Sequence, residues 1–197
     1  MSKAKREDFE GRNAWAGRFM TAAIIQGAAI VGLTIFLVIG QVSVIKPEVS
    51  RVIAAGGAGT WFTFGYITYI LVGVIGVAIS SLFYHYLGKG RHGSGRAANA
   101  SAWAHLILMN AGVTAATSMM MLAGYQGGAA MFPLTVGGQG FDAGQAHEIM
   151  SSYVEPIAVS ILVLVAGVIA GGIGFLIGYR RQSRFVQSSG VGDTEAA

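Results

Sequence analysis

Apolar residues dominate four long stretches of this chain, at about residues 18–45, 60–88, 100–125 and 153–180, and charged residues cluster between them. A helix needs about 20 residues to cross the ~30 Å hydrocarbon core of a bilayer, so each stretch is long enough to span it. Lipid leaves backbone groups without hydrogen-bond partners, and these stretches are too long for barrel strands. The pattern predicts an all-α integral membrane protein built as a four-helix bundle.

The basic residues between these stretches predict the orientation of the helices. Most of the 13 basic residues lie in three segments that would share one side of the membrane: Lys3, Lys5, Arg6, Arg12 and Arg18, then Lys89, Arg91 and Arg96, then Arg180, Arg181 and Arg184. The two opposite loops contain only Lys46 and Arg51. Because cytoplasmic loops are enriched in Lys and Arg, we expect both termini in the cytoplasm.

The chain is interpreted as one transmembrane domain over residues 1–186, followed by a disordered tail over residues 187–197. The tail is short and rich in small and polar residues, as flexible termini often are. The first apolar stretch is longer than the core of a secretory signal peptide, and no convincing cleavage site follows it. We therefore expect the first helix to be retained.

Composition agrees with a membrane protein and excludes several kinds of site. Charged residues make up only 11% of the chain, whereas soluble domains average about 25%. The absence of cysteine excludes disulfides, thiolate metal sites and covalently attached c-type haem. The net charge of +4 comes from basic residues that flank the apolar stretches, so it indicates membrane topology and not nucleic-acid binding.

Small residues recur at helical spacing within the apolar stretches. In the fourth stretch they follow one another every four residues, with two flanking glycines: Ala166, Ala170, Gly174 and Gly178, then Gly167 and Gly171. Other helices carry shorter sets: Ala23 with Gly27, Ala28 with Gly32, and Gly73 with Gly76. Small residues on one face let two helices approach closely in lipid. These faces are expected to pack inside the bundle, or, for one of them, to dock on a larger complex.

Two histidines are candidates for binding a cofactor. His85 lies at the end of the second predicted helix and His105 near the start of the third, so the two imidazoles should lie at similar depth. Facing histidines on neighbouring helices are what a b-type haem or a metal ion requires. The alternative is that each ring caps a helix or bonds at the membrane interface, among Tyr84, Tyr86 and Trp103.

The remaining histidines carry less information. His92 lies in a glycine-rich basic loop, where we expect it to be solvated. His147 precedes the fourth apolar stretch and could bind a metal with a neighbouring carboxylate, although nothing in the sequence defines the geometry that a metal needs.

Glu155 is the one carboxylate expected at the edge of the membrane. Two pairs resemble capping boxes at the start of the fourth helix, Asp142 with Gln145 and Ser152 with Glu155. Pro156 would then begin or kink the spanning segment. Glu155 is interpreted as a capping carboxylate, and a proton-relay or ion site is the alternative.

Other polar and sulfur-bearing residues within the apolar stretches are expected to be structural. Gln26 and Asn110 are mid-membrane amides that should form hydrogen bonds between helices. Met119, Met120 and Met121 point about 100° apart on a helix, so the three cannot share one metal ion and should fill gaps in the bundle. The glycine-rich segments match no nucleotide-binding motif, and the chain has no catalytic triad, metalloprotease or kinase signature.

The segment "AGGAGTWFTFGYITYILVGVIGVAISSLFYHYLGKG", residues 55–90, resembles small polytopic membrane proteins of ammonia-oxidising archaea. The likeness rests on "GTWFTFGY" at the entry to the second helix and "FYHYL" at its exit. Some proteins of this kind accompany a haem-copper terminal oxidase. The resemblance implies a multi-pass protein of a prokaryotic plasma membrane, placed beside a respiratory complex, and it supplies no catalytic residues.

The expected function is that of a non-catalytic accessory subunit of a respiratory membrane complex, a haem-copper oxidase above all, with the bilayer and other membrane subunits as partners. One alternative is an electron-transfer protein with a single b-haem held by His85 and His105. Another is a small channel or transporter, with Glu155, Asn110 and Gln26 lining the path. Coupled ion transport has the least support, because no charged residue lies in mid-membrane.

Overall fold

The computed structural model describes residues 3–88 and 96–191, and within these ranges every regular element is a helix. The elements are α1 (Lys3–Ser43), α2 (Val49–Ala54), α3 (Gly59–Thr68), a π segment (Tyr69–Gly76), α4 (Val77–Gly88), α5 (Arg96–Ala130), a 3₁₀ turn (Leu134–Val136) and α6 (Ala143–Val191). The segments from α3 to α4 form one continuous helix, which we call the second spanning helix.

Among residues 3–88 and 96–191, four helices are long and apolar enough to cross a membrane, which confirms the predicted all-α class and the number of candidate spans. The apolar portions are Ala14–Ser43, Gly59–Tyr86, Arg96–Ala130 and Ala143–Ile177. Four boundaries differ clearly from the predicted ones. The first helix begins at Lys3 instead of near residue 18, and the fourth ends at Val191 instead of near residue 180. The third helix continues past residue 125 to Ala130, and the fourth begins at Ala143 instead of near residue 153.

Contacts at the last turn of α5 explain why the third helix is longer than predicted. Gly127 lies against Met150 of α6, and Gly128 lies against Val52 of α2, so packing holds the last turn of α5 despite its glycines. At its C-terminal end, α6 continues through Val191. The first five residues of the predicted tail are therefore helical, and residues 192–197 lie outside the described part of the chain.

The helices are arranged in an open row and not in a closed ring. The first helix packs on the π segment and α4, the third packs on α3, and α6 packs along α5. Within the described residues, α1 and α6 make hardly any contact with each other. Consequently the outer faces of α1 and α6 carry long series of exposed aliphatic side chains, with Ile24 at 63% and Leu162 at 68% exposure.

Residues 44–58 and 131–142 lie together at one end of the row, which we call the loop side. The Tyr125 hydroxyl donates a hydrogen bond of 3.0 Å to the Pro47 carbonyl, and the backbone of Gly137, at φ 90°, lies against Lys46. The opposite end, where α1 begins and α6 ends, is called the terminal side below. This arrangement requires α1 and α6 to run in opposite directions through the molecule.

Glu48 is the charged centre of the loop side. Its carboxylate accepts a hydrogen bond from the Lys46 ammonium and lies 3.2 Å from the Arg51 Nε. The bond from Lys46, followed by smaller effects that include the positive charge of Arg51, holds the pKa of Glu48 below its usual range. Lys46 and Arg51, the basic residues of this side, therefore share one carboxylate.

Asp142 caps α6, as the sequence predicts. The backbone N–H of Gln145 donates to the Asp142 Oδ1 at 2.9 Å, and the backbone N–H of Asp142 donates to the Gln145 Oε1 at 3.1 Å. This reciprocal pair satisfies two N–H groups that a helix start would otherwise leave without partners. The capping box explains why α6 begins ten residues earlier than its apolar stretch.

Replacing Asp142 with alanine should lower the free energy of unfolding by about 0.5–2 kcal/mol, because the Gln145 N–H loses its acceptor. Thermal unfolding in detergent, followed by circular dichroism, measures the effect. The Asp142→Asn variant retains a side-chain carbonyl oxygen and should stay close to the parent protein. Equal losses for alanine and asparagine would contradict the capping role.

Candidate functional site

A cluster of four polar side chains joins three helices near the middle of the apolar spans. It consists of Gln26 from α1, Tyr69 from the π segment, and Asn110 and Thr114 from α5, and it is called the central polar cluster here. The Gln26 Nε2 donates to Asn110 Oδ1 and to Thr114 Oγ1, each at 3.0 Å. The Tyr69 hydroxyl donates to the Gln26 Oε1. The prediction that Gln26 and Asn110 bond between helices is confirmed.

The backbone geometry of two helices supplies the other members of the cluster. Thr114 lies one helical turn after Asn110, so both residues occupy the same face of α5. Tyr69 is the first residue of the π segment, and π segments inside α-helices often mark specialised sites. Tyr69 and Thr114 are not predicted from the sequence, although the four-residue spacing from Asn110 is a visible signal for Thr114.

The central polar cluster satisfies its own hydrogen-bonding groups. Gln26 is 8% exposed, and both its donor and its acceptor atoms are engaged. The Asn110 Nδ2 donates to the carbonyl of Leu106 at 2.7 Å. Polar groups that are buried in an apolar interior are stable only with such partners. The central polar cluster therefore holds the three helices together through hydrogen bonds.

A second cluster, here called the aromatic cluster, lies toward the terminal side. Its members are Phe19, Tyr84, His105 and Phe175, one from each spanning helix. The Phe19 ring stacks on Tyr84 with centroids 4.7 Å apart, and it lies 4.8 Å from His105. Phe175 meets Tyr84 at 4.9 Å and His105 at 5.7 Å, edge to face. These contacts connect α6 with α1 through side chains, where their backbones stay apart.

His105 is held inside the aromatic cluster. It is 3% exposed, and its Nδ1 lies 3.3 Å from the Tyr84 hydroxyl. Gly171 of α6 makes room for the ring, since a Cβ at that position would lie 2.4 Å from Nδ1. The hydrogen bond with Tyr84 corresponds to the structural role that the sequence analysis kept as an alternative to haem binding. The glycine at position 171 thus has a specific steric reason.

The structure does not bring His85 and His105 together as a ligand pair. Tyr84 faces His105, and the next residue of a helix points about 100° away, so His85 lies on another face of α4, where it is exposed. A haem held by two histidines needs both rings to face one pocket. The two residues do not fit that group in this arrangement.

Glu155 lies apart from the other candidate residues. Glu155 is exposed, and it lies within α6 and not at its start. The Ser152 hydroxyl donates to the Ile149 carbonyl at 2.8 Å, so the second predicted capping box is wrong, because the helix begins earlier, at Ala143. Pro156 lies inside the helix. Glu155 is also remote from Gln26, because α1 and α6 hardly touch.

Metal binding receives no support from the described residues. His147 is exposed on α6, and His92 lies outside the described residues. No group of three or more His, Asp or Glu side chains is placed to hold an ion within the part of the chain that the structure describes. Met121 is buried, and Met120 and Met121 pack against Gly65 of α3, which agrees with their predicted role as gap-fillers.

The glycines of the fourth helix form its contact with α5. A Cβ on Gly167 would lie 2.5 Å from the Met109 backbone nitrogen, and one on Gly174 would lie 2.7 Å from the Ser101 Oγ. Ala170 is half-buried, and its carbonyl accepts the Ser101 hydroxyl at 2.6 Å, whereas Ala166 is exposed. The inward face thus follows Gly167, Gly171 and Gly174. The surroundings of Gly178 lie outside what the structure describes.

The glycines of the second spanning helix face α5 as well. A Cβ on Gly73 would meet Val113 at 3.6 Å, and one on Gly76 would meet Met109 at 3.3 Å. Gly65 approaches more closely, since its Cβ would lie 2.7 Å from the Thr117 carbonyl oxygen. α5 therefore packs between the glycine-bearing faces of α6 and of the second spanning helix.

The two small-residue pairs of α1 point in different directions. Ala23 is 5% exposed, and Gly27 lies against Val74 of the π segment. Ala28 and Gly32 are exposed, and a Cβ on Gly32 would have no contact within 4 Å. One pair therefore packs inside the molecule and the other faces outward.

Comparisons with family models, with curated proteins and with solved structures find no match for this chain. Its own residues are therefore the basis for a functional assignment.

Proposed function

We propose that this chain is a non-catalytic accessory subunit of a larger membrane complex, and that a helix of the partner docks on the Ala28–Gly32 face of α1. The observation that carries the proposal is the outward direction of this pair. Lipid chains are as apolar as a helix surface, so close packing of small residues contributes much of the stability of helix pairs in membranes. An outward Ala–Gly pair provides such a contact surface.

The open row of helices also supports docking. With α1 and α6 at opposite edges, each edge helix leaves most of its surface uncovered by the chain itself. A partner helix that crosses α1 at Gly32 could approach its backbone and gain weak Cα–H···O contacts. The central polar cluster and the aromatic cluster are both closed by their own contacts, which favours a structural role over a channel or an electron carrier.

The proposed class of the partner rests on a sequence expectation alone, the resemblance of residues 55–90 to small membrane proteins of ammonia-oxidising archaea. We assign the partner to the respiratory complexes, and to a haem-copper oxidase first. The protein would lie in the plasma membrane of a prokaryote. The excess of Lys and Arg on the terminal side supports an orientation with both termini in the cytoplasm.

Affinity capture from native membranes, followed by mass spectrometry, tests this proposal. We expect the tagged parent chain to recover subunits of a haem-copper oxidase. Gly32→Leu should weaken this association by about 5- to 150-fold, because overpacking a close contact costs ~1–3 kcal/mol. Gly172→Leu is the matched control, since a Cβ on Gly172 also has no contact within 4 Å.

The outcomes separate the parts of the proposal. Recovery of the chain alone would refute an accessory role. Recovery of the oxidase subunits with both variants unchanged would refute docking at Gly32. Recovery of a different, defined membrane complex would refute the assignment to an oxidase.

A further inference from the structure

A lateral groove of about 470 Å³ lies between α1 and α5 on the terminal side. It forms there because α1 packs mainly on α4 and only lightly on α5. Its floor and walls are mostly small or apolar: Gly17, Thr21, Ala22, Ile25, Trp103 and Leu106. The groove is shallow and open to the outside.

Arg18 lies at the groove with its guanidinium against two indole rings. The guanidinium carbon is 4.5 Å from the centroid of Trp15 and 4.8 Å from that of Trp103. The two rings meet edge to face at 5.2 Å, and the Trp15 Nε1 donates to the Asn99 Oδ1 at 3.1 Å. This bond and the ring contact fix the position in which Arg18 is held.

The guanidinium has no carboxylate partner among the residues whose side chains the structure describes. The two rings stand 85° apart, so at most one of them can cover a face of the guanidinium, whose five N–H donors lie in its plane. Two such donors match two oxygens of a phosphate group. The site thus combines a positioned cation with an apolar channel beside it.

We propose that this groove binds one anionic phospholipid, with its phosphate on Arg18 and a hydrocarbon chain along Gly17, Thr21 and Ile25. A free phosphate would use only Arg18, whereas the groove continues as an apolar surface toward Ile25, which is 64% exposed. Tryptophan and arginine at the end of a spanning helix are typical of the headgroup level. This site is independent of the docking face proposed above.

Quenching of tryptophan fluorescence by brominated lipid tests the proposal directly, because Trp15 and Trp103 border the site. Trp61 lies in the first turns of α3, toward the loop side, and Trp61→Phe removes its signal from every variant. The full chain is placed in phosphatidylcholine nanodiscs that contain a small fraction of brominated phosphatidylglycerol or brominated phosphatidylcholine. We expect roughly fivefold stronger apparent binding of phosphatidylglycerol, the effect of one well-placed cation at a membrane surface.

Three variants distinguish a groove site from general attraction to the basic N-terminal segment. Arg18→Gln should abolish the preference, and Arg18→Lys should retain part of it. Gly17→Leu should also abolish it without changing any charge, since a Cβ on Gly17 has open space and leucine fills the groove. Gly32→Leu, the docking variant, should leave it unchanged. Circular dichroism and thermal unfolding confirm that each variant is folded.

Four results would overturn the proposal. Equal quenching by the two lipids in the parent chain would exclude a preference for anionic lipid. A preference that survives Arg18→Gln would exclude the phosphate contact, and one that survives Gly17→Leu would indicate bulk attraction. Displacement of the brominated lipid by excess inorganic phosphate would indicate a free-anion site. None of these results affects the association tested with Gly32→Leu, so the two proposals fail separately.

Discussion

Replacing Gly112 with alanine is expected to lower the free energy of unfolding by about 1–3 kcal/mol, the usual cost of overpacking a tight core. The added Cβ would lie 2.4 Å from the Leu164 backbone nitrogen and 2.7 Å from its Cα. Backbone atoms cannot rotate away as a side chain can, so α5 and α6 would have to separate. Close approach is the main source of stability for this pair, because lipid supplies no hydrophobic driving force between helices.

The sign of the change makes the measurement decisive. Alanine is a better helix former than glycine by about 1 kcal/mol, so helix propensity alone predicts stabilisation. Gly172→Ala and Gly32→Ala serve as matched controls, because a Cβ at either position has no contact within 4 Å. We expect these two variants to be as stable as the parent or slightly more stable. Reversible unfolding in mixed detergent micelles measures all three, and a stable Gly112→Ala variant would contradict the close contact.

The long apolar stretches are why the helices could be predicted from sequence. A span in lipid must satisfy its own backbone and reach ~30 Å, so length and apolarity leave few alternatives. The capping box of Asp142 and Gln145 could also be predicted from the sequence, because a capping box is a local pattern. Ser152 with Glu155 has the same spacing and is not a box, because the helix had already begun. The spacing of a capping box therefore marks a helix start only if the helix has not already begun before it.

Which face of each helix points inward could not be read in the same way. In water, a polar stripe marks the outer face, but in lipid both faces are apolar. The four-residue repeat pointed to Ala166, yet the structure buries Gly167 and Gly171 and leaves Ala166 exposed. His85 and His105 illustrate the same limit. Helix length predicts a similar depth for the two rings, whereas the direction of the His105 ring depends on its packing against Tyr84.

Replacing Gln26 with leucine should also destabilise the protein, by about 1–3 kcal/mol, the cost of leaving buried polar groups without partners. The variant removes two donor contacts and two acceptor contacts of the central polar cluster, the second acceptor contact being the one with the Thr114 hydroxyl at 3.4 Å. Asn110 and Tyr69 would then face an apolar side chain. Gln41→Leu is the matched control in the same helix, since the Gln41 side chain accepts only an exposed backbone bond of 3.3 Å from Ser50.

A double-mutant cycle shows whether the loss comes from the cluster itself. If Gln26 stabilises the fold through Asn110, then Asn110→Leu added to Gln26→Leu should cost less than the sum of the two single variants. Residues in direct contact typically show coupling of about 0.5–3 kcal/mol, whereas independent sites add within ~0.5 kcal/mol. Additive losses would mean that Gln26 acts through its volume and not through its hydrogen bonds. Strong coupling would show that the hydrogen bonds of this cluster hold α1 to α5, two helices whose backbones touch only lightly.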